Sequence, residues 1–255
     1  MSLIFEARTD TGQKREHNED SFHVNVNELL FVVADGMGGQ AAGETASKMA
    51  VQNVDEFIRN TKDDKDITWP IEYRTNLSRN GNRLDAAVRL AHRKIYEFSL
   101  TSPELNGMGT TVVAAVFNDE NRAVFANVGD SRIYLIDDKV IRQLTTDHSW
   151  VNEQVRLGLL TEEQAHNHPY RNVVTRALGG KDEFEVDIDE TDLADDNVML
   201  LCSDGLTTML PNETIYEIID ENRDDLGTAA EDLINQANEA GGDDNITVVL
   251  IKYND

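Results

Sequence analysis

Two apolar runs in this chain end on an acid followed by glycine: "LFVVADGMGG", Leu30 to Gly39, and "VMLLCSDGL", Val198 to Leu206. A run of this length and β-branched content reads as a buried strand. Asp35 and Asp204 therefore stand at strand ends, where a core strand meets the surface. An Asp-Gly pair is also a favoured hairpin turn. The two readings are turns at two separate places, or strand ends that converge on something cationic.

The rest of the chain is built in the same way. Strand signals cover Leu3 to Arg8, Ser21 to Val26, Leu29 to Ala34, Thr110 to Phe117, Arg122 to Val128, Arg132 to Ile136, Val198 to Cys202 and Ile246 to Lys252. Short polar links join several of them, so "AAVFNDENRAVFANVGDSRIYLIDDKVIRQL" reads as an antiparallel meander. Helical spacing of apolar residues follows Glu44 and Leu84, and recurs over Glu213 to Glu221 and Thr228 to Glu239. Antiparallel sheets covered by amphipathic helices make an α+β layered domain. Arg59 to Arg83 is polar and broken by Pro70, and reads as loop; Val151 to Leu178 mixes short helical pieces and reads as a flap. The 255 residues suffice for one domain with a large core.

Charge narrows the partners. Against 48 Asp and Glu stand 23 Lys and Arg, a net charge of -25 that repels nucleic acid and anionic lipid. An anionic partner must be met by a local positive site, and bound metal ions are one such site. Cys202 is the only cysteine, which rules out an internal disulfide and a thiolate metal cluster. No leader-like segment opens the chain and no apolar run reaches membrane-spanning length, so a soluble cytoplasmic protein is expected.

Five short segments carry the acids of interest: "HNEDS" with Glu19 and Asp20, "VADGMGG" with Asp35, "NVGDSR" with Asp130, "LCSDGL" with Asp204, and "GGDDNITVVLI" with Asp243 and Asp244. Carboxylates brought together repel and raise one another's pKa unless cations or protons join them. An all-oxygen set suits hard ions such as Mg²⁺ or Mn²⁺. Gly36, Gly38 and Gly39 allow a sharp turn and close approach to a ligand. Arg15 supplies a planar fork able to grip two phosphate oxygens.

"REHNED" (Arg15 to Asp20), "ADGMGG", "GTT" (Gly109 to Thr111), "VGDSR", "TRALG" (Thr175 to Gly179), "CSDGL" and "DDNIT" stand in the order found in the metal-dependent serine/threonine protein phosphatases of type 2C, and the chain resembles the bacterial branch of that family over nearly its whole length. The resemblance implies a four-layer αββα sandwich, two antiparallel sheets flanked by helices, with a flap over about 150–178 inside a single catalytic domain spanning 1–255. It implies a site in which Asp35 bridges two Mn²⁺ or Mg²⁺ ions, Asp204 and Asp244 complete one ion's ligands, and the Gly36 carbonyl with Asp20 or Glu19 serves the other. Asp130, with Asp204, matches a third and weaker ion site.

The activity implied is hydrolysis of phosphoserine and phosphothreonine in proteins by direct attack of a metal-bridging hydroxide, with Arg15 on the phosphoryl group. The implied partners are phosphorylated proteins, including a Ser/Thr kinase or its targets, and the expected state is a monomer. The chain departs from the family's pattern at three places. Met37 and Gln40 stand where relatives carry a histidine, which leaves no side chain assigned to protonate the leaving group. Thr208 stands where an aspartate is frequent. The competing function is a catalytically weak acidic scaffold that binds a phosphoprotein without cleaving it.

Plainer readings accompany several residues. Arg15 can be a surface ion pair with Glu19, and Asp130 can be a turn residue paired with Arg132. His166 and His168 in "HNHP" suit loop hydrogen bonding, and His148 in "TDHS" suits ordering of the chain that enters the flap. Cys202 reads as core filler, Trp69 and Trp150 as packing residues, and Asp220 to Asp225 as solvated charge.

Overall fold

The computed structural model describes residues 2–39, 41–62, 71–118, 121–180 and 184–254. Trp69 and Gln40 lie outside the described residues, as does the side chain of His166. Two antiparallel sheets stack on each other. One contains β1 (Ser2–Asp10), β11 (Ile246–Asn254), β10 (Val198–Cys202), β7 (Arg132–Ile136) and β8 (Ile141–Gln143), in that order across the sheet. The other runs β2 (Asp20–Asn25), β3 (Leu30–Met37), β5 (Val112–Asn118), β6 (Arg122–Val128) and β9 (Asp187–Asp192), with the short β4 (Gly109–Thr110) paired to the end of β3.

The apolar runs are continuous because both faces of the central strands are covered. In β3, Phe31 and Val33 point between the sheets, where they meet Val113, Ile133, Leu201 and Val249. Leu30, Val32 and Ala34 point the other way, onto Ala46, Val54, Leu84 and Val88 of α1 (Ala41–Asn60) and α2 (Arg79–Ser99). Leu200 and Cys202 of β10 likewise face Ile215, Ile219, Leu233 and Ala237 of α6 (Asn212–Glu221) and α7 (Leu226–Glu239). Three apolar interfaces thus separate four layers, helices outside and sheets inside, as the resemblance implied. Cys202 is fully buried and burial pushes its thiol up to about 12, which fits core filler.

Several expectations need correction. The Arg122 to Ile136 region is not a meander in one sheet: β6 and β7 lie in different sheets, and "VGDSR" is the crossover between them. β8 and β9 were not expected. The stretch 59–83 is not wholly loop, since α1 runs to Asn60 and α2 starts at Arg79, where Ser78 Oγ accepts a hydrogen bond from the Gly81 amide. Asp220, Asp224 and Asp225 are exposed, in keeping with solvated charge, and within that surface Asp220 pairs Arg223 at 2.8 Å, Asp224 pairs Lys252 at 3.3 Å, and Asp225 caps α7. Residues 150–178 carry α3 (Trp150–Arg156) and α4 (Glu162–His166), with Trp150 packed 4.9 Å from the His168 ring and 5.4 Å from Tyr170. The His168 Nδ1 accepts from the Tyr170 amide, as a loop histidine does. Among the described residues no helix is long and apolar enough to cross a membrane.

Candidate active site

Both sheets deliver acids to one rim of the sandwich. Asp20 opens β2 directly across from Asp35 in β3, so register alone places these two carboxylates side by side. From the other sheet, β10 ends at Cys202 and passes through Ser203 into Asp204, while Asp244 lies two residues before β11. Asp130 sits in the β6–β7 crossover, where the chain changes sheets.

A hydroxyl clamp joins the sheets beneath the acids. Ser203 Oγ and Thr247 Oγ1 each donate to Asp20 Oδ2 at 2.7 Å, and the Thr247 amide donates to Ser203 Oγ at 3.0 Å. Among the described residues the other Asp20 oxygen, Oδ1, has no partner, and the same is true of Glu19 Oε1 and Asp204 Oδ1. Asn245 organises the Arg15-bearing loop: its Oδ1 accepts from the Glu19 amide at 2.7 Å and its Nδ2 donates to the carbonyls of Thr11 and His17 at 2.8 and 2.9 Å. The backbone of Asp35 is held through Thr111, whose Oγ1 accepts from the Asp35 amide at 3.0 Å and whose amide donates to the Asp35 carbonyl at 2.9 Å. Sequence reading gave no role to Asn245, Ser203, Thr247 or Thr111. The visible signal was that each lies inside or beside one of the quoted motifs.

Burial and like charge act together on these groups. Burial raises the Asp20 carboxyl to about 7, with part of the effect offset by its two hydroxyl donors. Asp130 goes up to about 8, again by burial, then by Asp204 and Asp147. Asp35 is pushed well up by burial and by Asp20 and Asp204, and Asp204 rises by burial and Asp244. Asp35 and Asp204 keep part of their surface open to solvent, which tempers both shifts. Arg15 is the counter-charge. Burial opposes its ionisation, but Asp244, Glu19 and Asp35 hold its pKa up, and its Nη2 donates to Asp244 at 2.7 Å. Its structural pairing is therefore with Asp244, not with Glu19. Arg132 likewise pairs with Asp147 at 2.7 Å and acts on Asp130 as a nearby charge, not as an ion-pair partner.

The predicted acids Glu19, Asp20, Asp35, Asp130, Asp204 and Asp244 are brought to this rim, while Asp243 faces solvent. They ring it without closing on one point: among the described residues no three His, Cys, Asp or Glu side chains form a ready-made metal cage. Bare carboxylates repel, and Asp244 is turned toward Arg15. The donor set nevertheless suits hard dications. It is all oxygen, three of its oxygens lack partners, and Gly36 is a cradle where any side chain would collide with the Gly43 carbonyl and lie 2.6 Å from that of Glu19. Beside Asp130 and Asp204 opens a cavity of about 510 Å³ that Arg171, Asn152 and Thr208 also line.

Fold, motif order and rim chemistry define a phosphoryl-transfer hydrolase class. A family model described as Protein phosphatase 2C matches residues 10–246, and the chain belongs to that family. It is 41% identical over 254 residues to the serine/threonine phosphatase Stp of Listeria monocytogenes, covering 97% of this chain and 94% of the relative. The crystal structure of the serine/threonine phosphatase PstP/Ppp from Mycobacterium tuberculosis superposes with a TM-score of 0.86 at 36% identity over 99% of both chains. A second structure, of the PstP catalytic domain in complex with two manganese ions, gives 0.83 at 35% identity over 99% of both chains.

Proposed function

We propose that this chain is a metal-dependent phosphatase that hydrolyses phosphoserine and phosphothreonine in proteins. The observation that carries the reading is the ring of partly buried carboxylates, drawn from both sheets, with unpartnered oxygens beside the Arg15 guanidinium. Asp35, Asp204 and Asp244 would hold one dication; Asp35, the Gly36 carbonyl, Asp20 and Glu19 would hold the other, Mn²⁺ or Mg²⁺ in each case. Manganese is the ion named for the PstP structure. When bound, such a pair acidifies water and neutralises phosphoryl charge.

The chain's own groups supply the rest. Arg15 is about half exposed, so its fork can turn from Asp244 to two oxygens of the phosphoryl group. That turn releases Asp244 for a cation, and the two events favour each other by charge. Asp20 offers only Oδ1, because Ser203 and Thr247 occupy its Oδ2 and so fix the direction in which the free oxygen points. Met37 carries no transferable proton, which leaves solvent to protonate the departing alkoxide. Asp130 and Asp204 open on the same cavity and would take a third ion, with Thr208 there contributing no charge.

The substrates would be proteins phosphorylated by a Ser/Thr kinase whose action this chain opposes. We read residues 150–178 as a flap within one catalytic domain that works as a cytoplasmic monomer. The test is turnover of a phosphothreonine peptide with Mn²⁺, with chelator, and in Asp35→Asn. Hydrolysis that needs the ion and falls at least about 100-fold in the variant supports the enzyme. Tight peptide binding without hydrolysis by the wild-type protein overturns it in favour of the scaffold.

A further inference from the structure

His148 joins four segments that are far apart in the chain. Its Nδ1 accepts from the Gly129 amide at 3.1 Å, and its Nε2 lies 3.1 Å from Asp187 Oδ2 of β9. Its backbone amide donates to the Gly129 carbonyl at 2.9 Å, and its carbonyl accepts from the Thr175 amide at 2.7 Å. The two ends of the 150–178 segment and the turn before Asp130 thus meet at one buried residue, 5% exposed.

The donor pattern fixes the tautomer. Since Gly129 N–H donates to Nδ1, the ring proton sits on Nε2 and is donated to Asp187. Arg176 Nη1, 3.3 Å from Nε2, then faces another donor and makes no hydrogen bond to the ring. Its bond is to Asp187 Oδ1 at 3.2 Å, so Asp187 bridges the histidine and the arginine. Burial lowers the imidazole's pKa against the pull of Asp187, in keeping with a neutral ring.

Gly129 is the point through which this node reaches the rim. Its φ is +110°, and a side chain there would lie 2.6 Å from Thr111, the residue that holds the Asp35 backbone. Thr111 Oγ1 also lies 2.7 Å from Ser131 Oγ, on the far side of Asp130. The turn is therefore held between Thr111 on one side and His148 on the other, in a conformation that glycine adopts readily and a side chain would not.

We propose that His148 is a positioning residue: through its Nδ1 acceptor it sets the Gly129–Asp130 turn, and through its backbone it locks both ends of the flap segment to that turn, so that Asp130 and the flap are placed together. The catalytic consequence rests on the phosphatase reading above; the structural linkage does not. A group of this kind acts through its neighbour, and loss of such a partner typically costs roughly 10- to 100-fold in ion affinity or activity.

Asparagine and glutamine separate the two ring nitrogens, because Asn Oδ1 can stand in for the Nδ1 acceptor and Gln Nε2 for the Nε2 donor. The test compares His148→Ala, His148→Asn and His148→Gln in the full chain. It measures amide hydrogen exchange at Gly129 and Thr175 without added metal, and the Mn²⁺ concentration needed for half-maximal turnover. The expected result is faster exchange at the Gly129 amide in the Ala and Gln variants, with restoration in Asn; the Thr175 amide, whose acceptor is the backbone carbonyl of residue 148, reports whether the flap end loosens with the turn. The Mn²⁺ requirement should rise about 10-fold in step with exchange. Unchanged exchange in His148→Ala, or rescue by Gln and not by Asn, overturns the assignment; if Ala fails to fold, the Asn and Gln comparison still decides. A wild-type protein inactive with every divalent ion, yet showing the expected exchange pattern, sinks the phosphatase reading and leaves the linkage standing.

Discussion

The same strands lead two lives. Between the sheets, β3 and β10 contribute Phe31, Val33, Met199 and Leu201, all at most 1% exposed and packed in one apolar cluster. A few residues on, at the rim, they deliver Asp35 and Asp204, carboxylates crowded by their own kind, and one oxygen of Asp204 has no partner among the described residues. The interior gains free energy by removing apolar surface from water. The rim gives some back by desolvating like charges. Stability and function are thus separated along one strand by a distance of only a few residues, and the rim can afford repulsion because the interior holds its backbone in place.

Breaking the interior should have the larger effect on stability. Phe31 meets Phe5 and Phe117 edge-on, with ring centroids 5.6 and 5.5 Å apart. Phe31→Ala should cost about 3–5 kcal/mol in denaturant unfolding, with the Mn²⁺ requirement of the remaining folded protein unchanged. An equal loss of ion affinity would show that interior and rim are not separable.

The rim should behave in the opposite sense. Asp20 and Asp130 move from an ordinary 3.8 up to about 7 and about 8, so the folded protein binds more protons than the unfolded chain over that window. Without metal, stability should be greatest near pH 4 and fall as pH rises through 7 to 8. Asp204→Asn should flatten that decline and raise the melting temperature in chelator, while Mn²⁺ should stabilise the wild type most at the alkaline end, where protons no longer compete. Thermal melts at pH 5 and pH 8 decide it; a melting temperature that climbs with pH in chelator contradicts the charge crowding.

The smallest effect is expected beside residues 150–178. Thr208 is exposed on the cavity shared by Asp130 and Asp204. Thr208→Asp should lower the Mn²⁺ concentration needed for full activation by a few-fold, about 1 kcal/mol at an exposed position. A variant that leaves the Mn²⁺ titration unmoved would place Thr208 outside any ion site.

Periodicity exposed the interior well. Arg122–Val128, Arg132–Ile136 and Val198–Cys202 were legible to the residue, because strands buried on both faces read as unbroken β-branched runs. β9 was not legible: "DIDETD" is an acidic edge strand, held to β6 in part by ion pairs of Arg122 with Asp192 and Glu190, and an edge needs no apolar pattern. The start of α2 hid in "SRNGNR" because its buried positions are Gly81, Asn82 and Arg83, satisfied by hydrogen bonds and tertiary contacts instead of apolar spacing.

The sequence by itself settled which chemical groups this protein has to work with: acids at strand ends, glycines beside them, one arginine upstream, and an order of motifs that identified the family. Only the tertiary structure decided who pairs with whom. Arg15 reaches Asp244 across 229 residues of chain and not its neighbour Glu19, Arg132 forms its ion pair with Asp147 and not with Asp130, and His148 ties Gly129 to both ends of the 150–178 segment. Composition and spacing fix what a residue can do within a few positions of itself. The choice among ionic partners depends on register and on which distant segments the packed sheets bring within about 3 Å, and that is a property of the folded whole.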